Sequence, residues 1–212
     1  EYGSHRAGTN GINATWNGML YFALGYGLQR MANEQVDDIG PNRGAGLPDG
    51  RQGHIAAMCP VLDGLFCALN GGTGRSSILV YNNFGWHELV RAQIDASEIT
   101  CLFYQSIPYG PNRLWYAEGQ TIMFVELPDK TSNPYKDSRM VYAASGELVT
   151  PWIDCGLADA SKFFHEMTVL ADNLLADTRY IDVYYQIDNA TDASVWTALP
   201  DTFDTSPAQT IS

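Results

Sequence analysis

The chain has 212 residues, of which 45% are hydrophobic, 12% aromatic and 17% charged, a composition that indicates a folded protein with a buried core. Its 12 basic and 24 acidic residues give a formal net charge of -12, so its surface repels phosphate groups, and neither nucleic acid nor an anionic membrane is an expected partner. No apolar run approaches the roughly 20 residues of a membrane-spanning helix, so membrane insertion is not expected.

Three segments share one pattern, in which a turn residue is followed by aromatic and aliphatic residues that lead into an alanine. These are "GMLYFAL" (Gly18–Leu24), "GLFCAL" (Gly64–Leu69) and "NRLWYAEG" (Asn112–Gly119). Their alanines, Ala23, Ala68 and Ala117, are spaced by 45 and then 49 residues. Self-similarity at such a period is typical of repeat architectures.

Each of these segments is predicted to be the second strand of a repeat. The predicted first strands are Gly11–Trp16, His54–Cys59 and Glu98–Tyr104, and the third strands are Gly27–Met31, Ser76–Tyr81 and Gln120–Leu127. A fourth strand is clear at Trp86–Val90 and weaker at Val36–Ile39 and Arg139–Ala144. Four antiparallel strands in roughly 40–50 residues describe one β-propeller blade.

The second repeat resembles a kelch blade, because Gly71-Gly72 follows its second strand, Tyr81 ends its third and Trp86 opens its fourth. The resemblance implies structural roles: a tight exit at the glycines, and aromatic packing between blades. The other repeats lack the diglycine, so we expect divergent blades. Three blades do not close a ring, since propellers use about 4–8. Residues 1–145 are therefore predicted to form an incomplete ring, which a longer polypeptide or further copies would complete unless it stays open.

Residues 146–212 have longer predicted strands. These are Glu147–Asp154, Lys162–Asp172, Tyr180–Asp188 and Ser194–Pro200. In Tyr180–Asp188, the side chains of Ile181, Val183, Tyr185 and Ile187 alternate with polar ones or with Tyr184. The pattern predicts a β-sandwich-like segment or a last, long-stranded blade, in either case truncated.

The sequence nominates no catalytic, cofactor-binding or metal-binding residue. Its four histidines, His5, His54, His87 and His165, lack metal-ligand spacing, and the nucleophile-elbow and phosphate-loop motifs are absent. Asp37, Asp38 and Glu118 lie near predicted strand ends, where propeller sites often occur, yet no pair stands out as glycosidase acids. Asp188, Asn189 and Asp192 lack the full calcium-loop pattern.

Two further features leave alternatives open. Cys59 and Cys67 flank a predicted turn, so they are either a cross-strand disulfide or free buried thiols, and we favour the thiols. The glycine-rich segment Asp38–Ile55 is either a loop that contacts a partner or a solvent-exposed connector.

The order of features resembles a group of phage and prophage virion proteins. The resemblance rests on "SILVYNNFGWHEL", "RLWYAEGQTIMFVELP", "SGELVTPWIDCGLADASKFFHEMTV" and "WTALPDTFDTSP", and it spans most of Gly11 to Pro207. It implies a tail-associated β-propeller followed by a sandwich domain, with a structural or adhesion role in the virion and no active-site residue.

We therefore expect a non-enzymatic virion component, a rigid scaffold that binds other tail proteins or copies of itself. The main alternative is a secreted propeller that binds or hydrolyses glycans, such as those of a host surface, and the third is a kelch-like interaction module. Exposed aromatic residues beside paired acids would favour the glycan alternative. A large, partly apolar interface between subunits would favour the virion component.

Overall fold

The computed structural model describes residues 12–25, 27–41, 53–61, 64–72, 74–127, 144–148, 150, 153, 155–156, 162–187 and 196–211. The chain divides into two compact units, Glu1–Val149 and Thr150–Ser212. Within the described residues every regular element is a β-strand, and the strands form several small antiparallel sheets. The protein is therefore all-β, as the sequence predicts.

The described residues of the first unit form three sheets, in each of which strands that follow one another along the chain are paired. The first sheet has the strands β1 (Asn13–Trp16), β2 (Met19–Leu24), β3 (Gly27–Ala32) and β4 (Gln35–Asp38). The second has β5 (His54–Val61), β6 (Gly64–Asn70), β7 (Ser77–Tyr81) and β8 (Trp86–Arg91). The third has β9 (Ile99–Gln105), β10 (Asn112–Glu118) and β11 (Thr121–Leu127).

These bounds differ from the predicted ones by at most two residues at either end. The fourth strand predicted for the third repeat, Arg139–Ala144, lies outside the described residues except for Ala144.

Local chemistry explains why the turns could be predicted from the sequence. Asn17 and Gly18 join β1 to β2 with φ of 49° and 74°, the left-handed conformations that a two-residue hairpin turn requires.

A cluster of buried side chains fills the space between the first and second sheets. It consists of Ala14, Trp16, Tyr21, Leu28, Ile39, Ile55, Leu65, Cys67 and Tyr81. Two indoles also join the sheets by hydrogen bonds: Trp16 Nε1 donates to the carbonyl of Val61 at 2.8 Å, and Trp86 Nε1 donates to the carbonyl of Ile39 at 2.7 Å. The two sheets are thus held both by apolar burial and by polar contacts that satisfy the two indole N–H groups.

A second cluster lies between the second and third sheets. Its buried members are Phe66, Ala68, Ile78, Ile99, Leu114, Tyr116 and Leu127. Strand β6 contributes to both clusters, because Leu65 and Cys67 lie in the first and the alternate residues Phe66 and Ala68 in the second. The second sheet therefore lies between the other two, and its strand β5 neighbours both β1 and β9.

Over its described residues, the second unit has shorter strands than the sequence predicts. β12 (Met167–Leu170) pairs with β15 (Ala208–Ile211), and β13 (Tyr184–Tyr185) pairs with β14 (Thr197–Ala198). The backbones of Ile181 and Phe203 form a bridge with N···O distances of 2.8 and 2.9 Å, and Phe203 is buried.

The apolar face predicted for Tyr180–Asp188 is not buried in the structure. Tyr185 and Ile187 are exposed, and Val183 is half-buried. Among the described residues of this segment, only Tyr184 and Tyr185 belong to a strand, which is too short to cover an apolar face. The alternating pattern therefore predicts a longer strand than the structure contains.

Replacement of the fully buried Leu65 by alanine tests the importance of the buried strand β6. We expect Leu65→Ala to lower the free energy of unfolding by about 2–5 kcal/mol, because it removes apolar contacts and leaves a cavity. Chemical denaturation followed by tryptophan fluorescence measures this change. A matched control is Leu170→Ala, at a side chain that is 79% exposed, which should shift the free energy by less than about 0.5 kcal/mol. Equal effects of the two substitutions would contradict the burial of β6.

Candidate interaction face

The third sheet has one face against the second sheet and one face turned away from it. Side chains of directly paired residues lie on the same face, so the register assigns the outward side chains. They are Cys101, Phe103 and Gln105 of β9, Arg113, Trp115 and Ala117 of β10, and Ile122, Phe124 and Glu126 of β11. We call this set the terminal face.

Three aromatic rings occupy the middle of the terminal face. Trp115 on the central strand pairs with Phe103 on one side and with Phe124 on the other. The Trp115 and Phe124 ring centroids are 4.9 Å apart at an interplanar angle of 47°. Phe103 is 65% exposed and Phe124 44% exposed, so this is an apolar patch at the surface. Exposed patches of this kind mark interaction sites on soluble proteins.

Several polar groups of the terminal face contact each other, although Arg113 Nε has no hydrogen-bond partner among the described residues. Trp115 Nε1 donates to Gln105 Oε1 at 2.8 Å. The Arg113 guanidinium lies 4.4 Å from the centre of the Phe124 ring, and one of its nitrogens is 3.5 Å from a Glu126 carboxylate oxygen. The charges of Arg113 and Glu126 cancel, which makes the face electrically neutral on a strongly acidic chain. Such a surface can approach a partner without a buried unpaired charge.

Glu118, one of the acids weighed as a glycosidase residue, has a structural position. It lies at the end of β10 and is only 7% exposed. Its Oε1 accepts hydrogen bonds from the backbone N–H groups of Gln93 and Ile94, at 2.9 and 3.4 Å. Glu118 thereby fixes the connection between the second and third sheets against β10.

The other two acids are also engaged by nearby groups. Asp37 forms a 3.0 Å ion pair with Arg30 on the neighbouring strand β3. Asp38 Oδ1 accepts a 2.9 Å hydrogen bond from the backbone N–H of Gly40. The structure therefore gives Asp37, Asp38 and Glu118 separate local partners.

The described histidines occupy three different parts of the chain. His54 begins β5, and His87 lies in β8 with Nε2 at 3.1 Å from Asn82 Nδ2. His165 precedes β12, where its ring is 6.3 Å from that of Phe163. Among the described residues, no three His, Cys, Asp or Glu side chains come together to hold a metal ion. His5, Asp188, Asn189 and Asp192 lie outside that part of the chain.

Cys59 and Cys67 are free thiols on opposite faces of the second sheet. Cys59 is paired with Phe66 and Cys67 with Met58, so the two sulfurs point away from each other. This geometry decides between the two sequence interpretations in favour of free thiols, of which Cys67 is buried and Cys59 is half-buried. Burial raises the pKa of both thiols, which keeps them protonated and unreactive near neutral pH. Cys101, by contrast, lies exposed on the terminal face.

The glycine-rich segment Asp38–Ile55 is described at its two ends only, since residues 42–52 lie outside the described part. At its far end Gly53 packs against the backbone of Asn70, and a Cβ there would overlap the Asn70 carbonyl. Asn70 is itself buried, and its Oδ1 accepts a 2.9 Å hydrogen bond from the Ile99 N–H. The described end of the segment is therefore closely packed.

Sequence reasoning did not identify the terminal face, although a signal for it is present. Trp115 precedes Ala117 by two residues, as Phe66 precedes Ala68 and Tyr21 precedes Ala23. Phe66 and Tyr21 lie in the two clusters between sheets. The alignment of the three alanines therefore places Trp115 at a position that contacts a neighbouring sheet in the other repeats.

Comparisons of the chain with protein-family models, with curated protein sequences and with solved structures found no match. Among the described residues, no helix is long and apolar enough to cross a membrane.

Two substitutions of Glu118 test its assigned role. Glu118→Ala removes the acceptor of two partly buried N–H groups, so we expect the free energy of unfolding to fall by about 1–3 kcal/mol. Glu118→Gln keeps a carbonyl oxygen at the same place, and most of the stability should remain. Thermal and chemical unfolding measure both. Equally large losses in Glu118→Gln and Glu118→Ala would show that the charge, and not the acceptor alone, matters.

Proposed function

We propose that the protein is a non-enzymatic structural component of a phage virion, associated with the tail, and that it acts as a rigid protein-protein interaction scaffold. The observation that supports this most directly is the terminal face. Its three rings, Phe103, Trp115 and Phe124, are held by a sheet that is packed on a second sheet, and its charges are paired within the face. A prearranged apolar patch of this kind suits a durable protein contact.

The architecture that we propose for this scaffold is a β-propeller-like array followed by a sandwich-like segment. The three stacked sheets of the first unit would be successive blades, one of them kelch-like, because each is a meander and because β5 neighbours both β1 and β9. In a propeller the first strands of the blades line the central axis, and neighbouring blades pack face to face. The arrangement of the two clusters is consistent with this proposal.

We propose a non-enzymatic protein because the acidic side chains considered for catalysis have structural partners. Glu118 is buried and accepts two backbone hydrogen bonds, whereas Asp37 and Asp38 have local partners. A glycosidase needs two carboxyl groups roughly 5–10 Å apart that face the substrate. Carboxylates that hold strands and loops in place are poorly suited to act as glycosidase acids.

The placement in a virion, with other tail proteins or copies of the chain as partners, rests on the sequence resemblance. The net charge of -12 agrees with partners other than nucleic acid. A protein of an extracellular particle must also stay folded without help from the cell. The stacked sheets are suited to this requirement.

Mass spectrometry of purified particles tests the proposal. We expect peptides of this chain in virus particles from the genome that encodes it, at a constant ratio to the other tail proteins through successive density gradients. Antibody labelling in electron micrographs should place it at the tail. Particles that lack the chain, while the surrounding fluid contains it, would contradict a structural role in the virion.

The second candidate is a glycan-binding or glycan-hydrolysing protein, which the exposed rings of the terminal face favour, because aromatic faces also stack on sugars. A glycan array probed with wild-type protein and with Trp115→Ala separates the candidates. Binding or turnover that is lost in Trp115→Ala would support the glycan function. The scaffold proposal predicts no bound glycan in either protein.

A further inference from the structure

The three sheets of the first unit are stacked so that equivalent faces point the same way along the stack. In the second sheet, the cross-strand pair Leu65 and Tyr81 packs towards the first sheet. In the third sheet, the corresponding pair Leu114 and Val125 packs towards the second sheet. Each sheet therefore turns the same face towards the sheet that precedes it along the chain.

The residues between these positions pack in the opposite direction. Phe66 and Val80, which are cross-strand partners in the second sheet, belong to the cluster shared with the third sheet. Tyr21 of the first sheet belongs to the cluster shared with the second. The equivalent pair in the third sheet is Trp115 and Phe124, at the centre of the terminal face.

The first sheet has an exposed face. In the second and third sheets, the corresponding face packs against the sheet that precedes it along the chain. Its central pair is Leu20 and Met31, which are 38% and 42% exposed and align with Leu65 and Tyr81. The remaining members, assigned by strand register, are Asn13, Thr15, Phe22, Gln29, Val36 and Asp38. We call this set the opening face.

We propose that the terminal face of one copy binds the opening face of a second copy of this chain, head to tail. This inference rests on the proposed scaffold function and names the surface and the partner that the scaffold uses. The contact would continue between molecules the sheet-on-sheet packing that already joins the first sheet to the second and the second to the third.

Three observations favour a second copy as the occupant. Within the described residues, the two faces are the exposed halves of a contact that occurs twice within the chain, and the central pair of each face, Leu20 with Met31 and Trp115 with Phe124, is apolar. The Arg113–Glu126 pair leaves the terminal face neutral, which lets two acidic chains approach there. Two copies with three such sheets each reach the range of about 4–8 blades in which propellers close.

Charge substitutions on the two faces, measured by sedimentation, test the proposal. We expect the wild-type protein to dimerise with increasing concentration. Phe103→Asp on the terminal face and Met31→Asp on the opening face should each weaken association at least tenfold, because each buries an unpaired charge. The control Phe84→Asp adds the same charge at a turn residue that is 97% exposed and outside both faces, and it should dimerise as wild type does.

Mixing the two face variants distinguishes head-to-tail binding from other contacts. The Phe103→Asp copy keeps an intact opening face and the Met31→Asp copy an intact terminal face, so the mixture should regain one contact and form heterodimers. Dimers of Met31→Asp alone, as stable as those of the wild type, would show the terminal face binding itself and would overturn the proposal.

Thiol labelling gives a readout that does not depend on how the variants fold. Cys101 lies on the terminal face and Cys155 is exposed in the second unit, so a maleimide should label both in dilute wild-type protein. At dimer-forming concentrations we expect slower labelling of Cys101 and unchanged labelling of Cys155. A protein that is monomeric at all concentrations, or that labels Cys101 at one constant rate, overturns the proposal. The mass spectrometry of purified particles does not depend on self-association. A failure of the dimer proposal would therefore leave the virion proposal to be tested separately.

Discussion

Burial of strand β6 on both faces is the constraint on which the first unit depends. All seven of its residues, Gly64–Asn70, are buried, and alternate side chains enter the two clusters between sheets. A strand in this position has no solvent-facing side, so its sequence is apolar from Gly64 to Leu69 instead of alternating. The first and third sheets must cover it, since a small meander alone cannot hide two apolar faces.

Polar groups fix how these sheets meet. Trp16 and Trp86 donate to backbone carbonyls across the first contact, and Asn70 accepts the Ile99 N–H across the second. Buried donors and acceptors tolerate few alternative arrangements, because an unpaired group costs about 1–3 kcal/mol. Apolar burial thus supplies most of the attraction between sheets, while these bonds select one relative placement. The same logic explains the exposed ends: a stack in which each sheet covers the next leaves one apolar face at each end.

Much of the first unit could be predicted from the sequence because its information is local. Turn residues such as Asn17 and Gly18 and short apolar runs mark each strand, and sequential pairing needs no distant partner. Three other features were not predictable. The bulges at Ile55/Ala57, Ile78/Leu79 and Ala117/Glu118 shift the registers without a break in the pattern. The second unit pairs residues far apart in sequence, as in Met167 with Ile211. Glu118 looked like a surface acid, because no local pattern shows that two N–H groups approach it.

Native-state hydrogen exchange, resolved along the chain, is the most direct measurement of whether the first unit is built around β6. We expect the amides of Gly64–Asn70 to exchange slowest, with a free energy of opening close to that of global unfolding. The edge strands β4 and β8 should exchange faster. Exchange of β6 at the rate of those edge strands would contradict the burial of the second sheet between its neighbours.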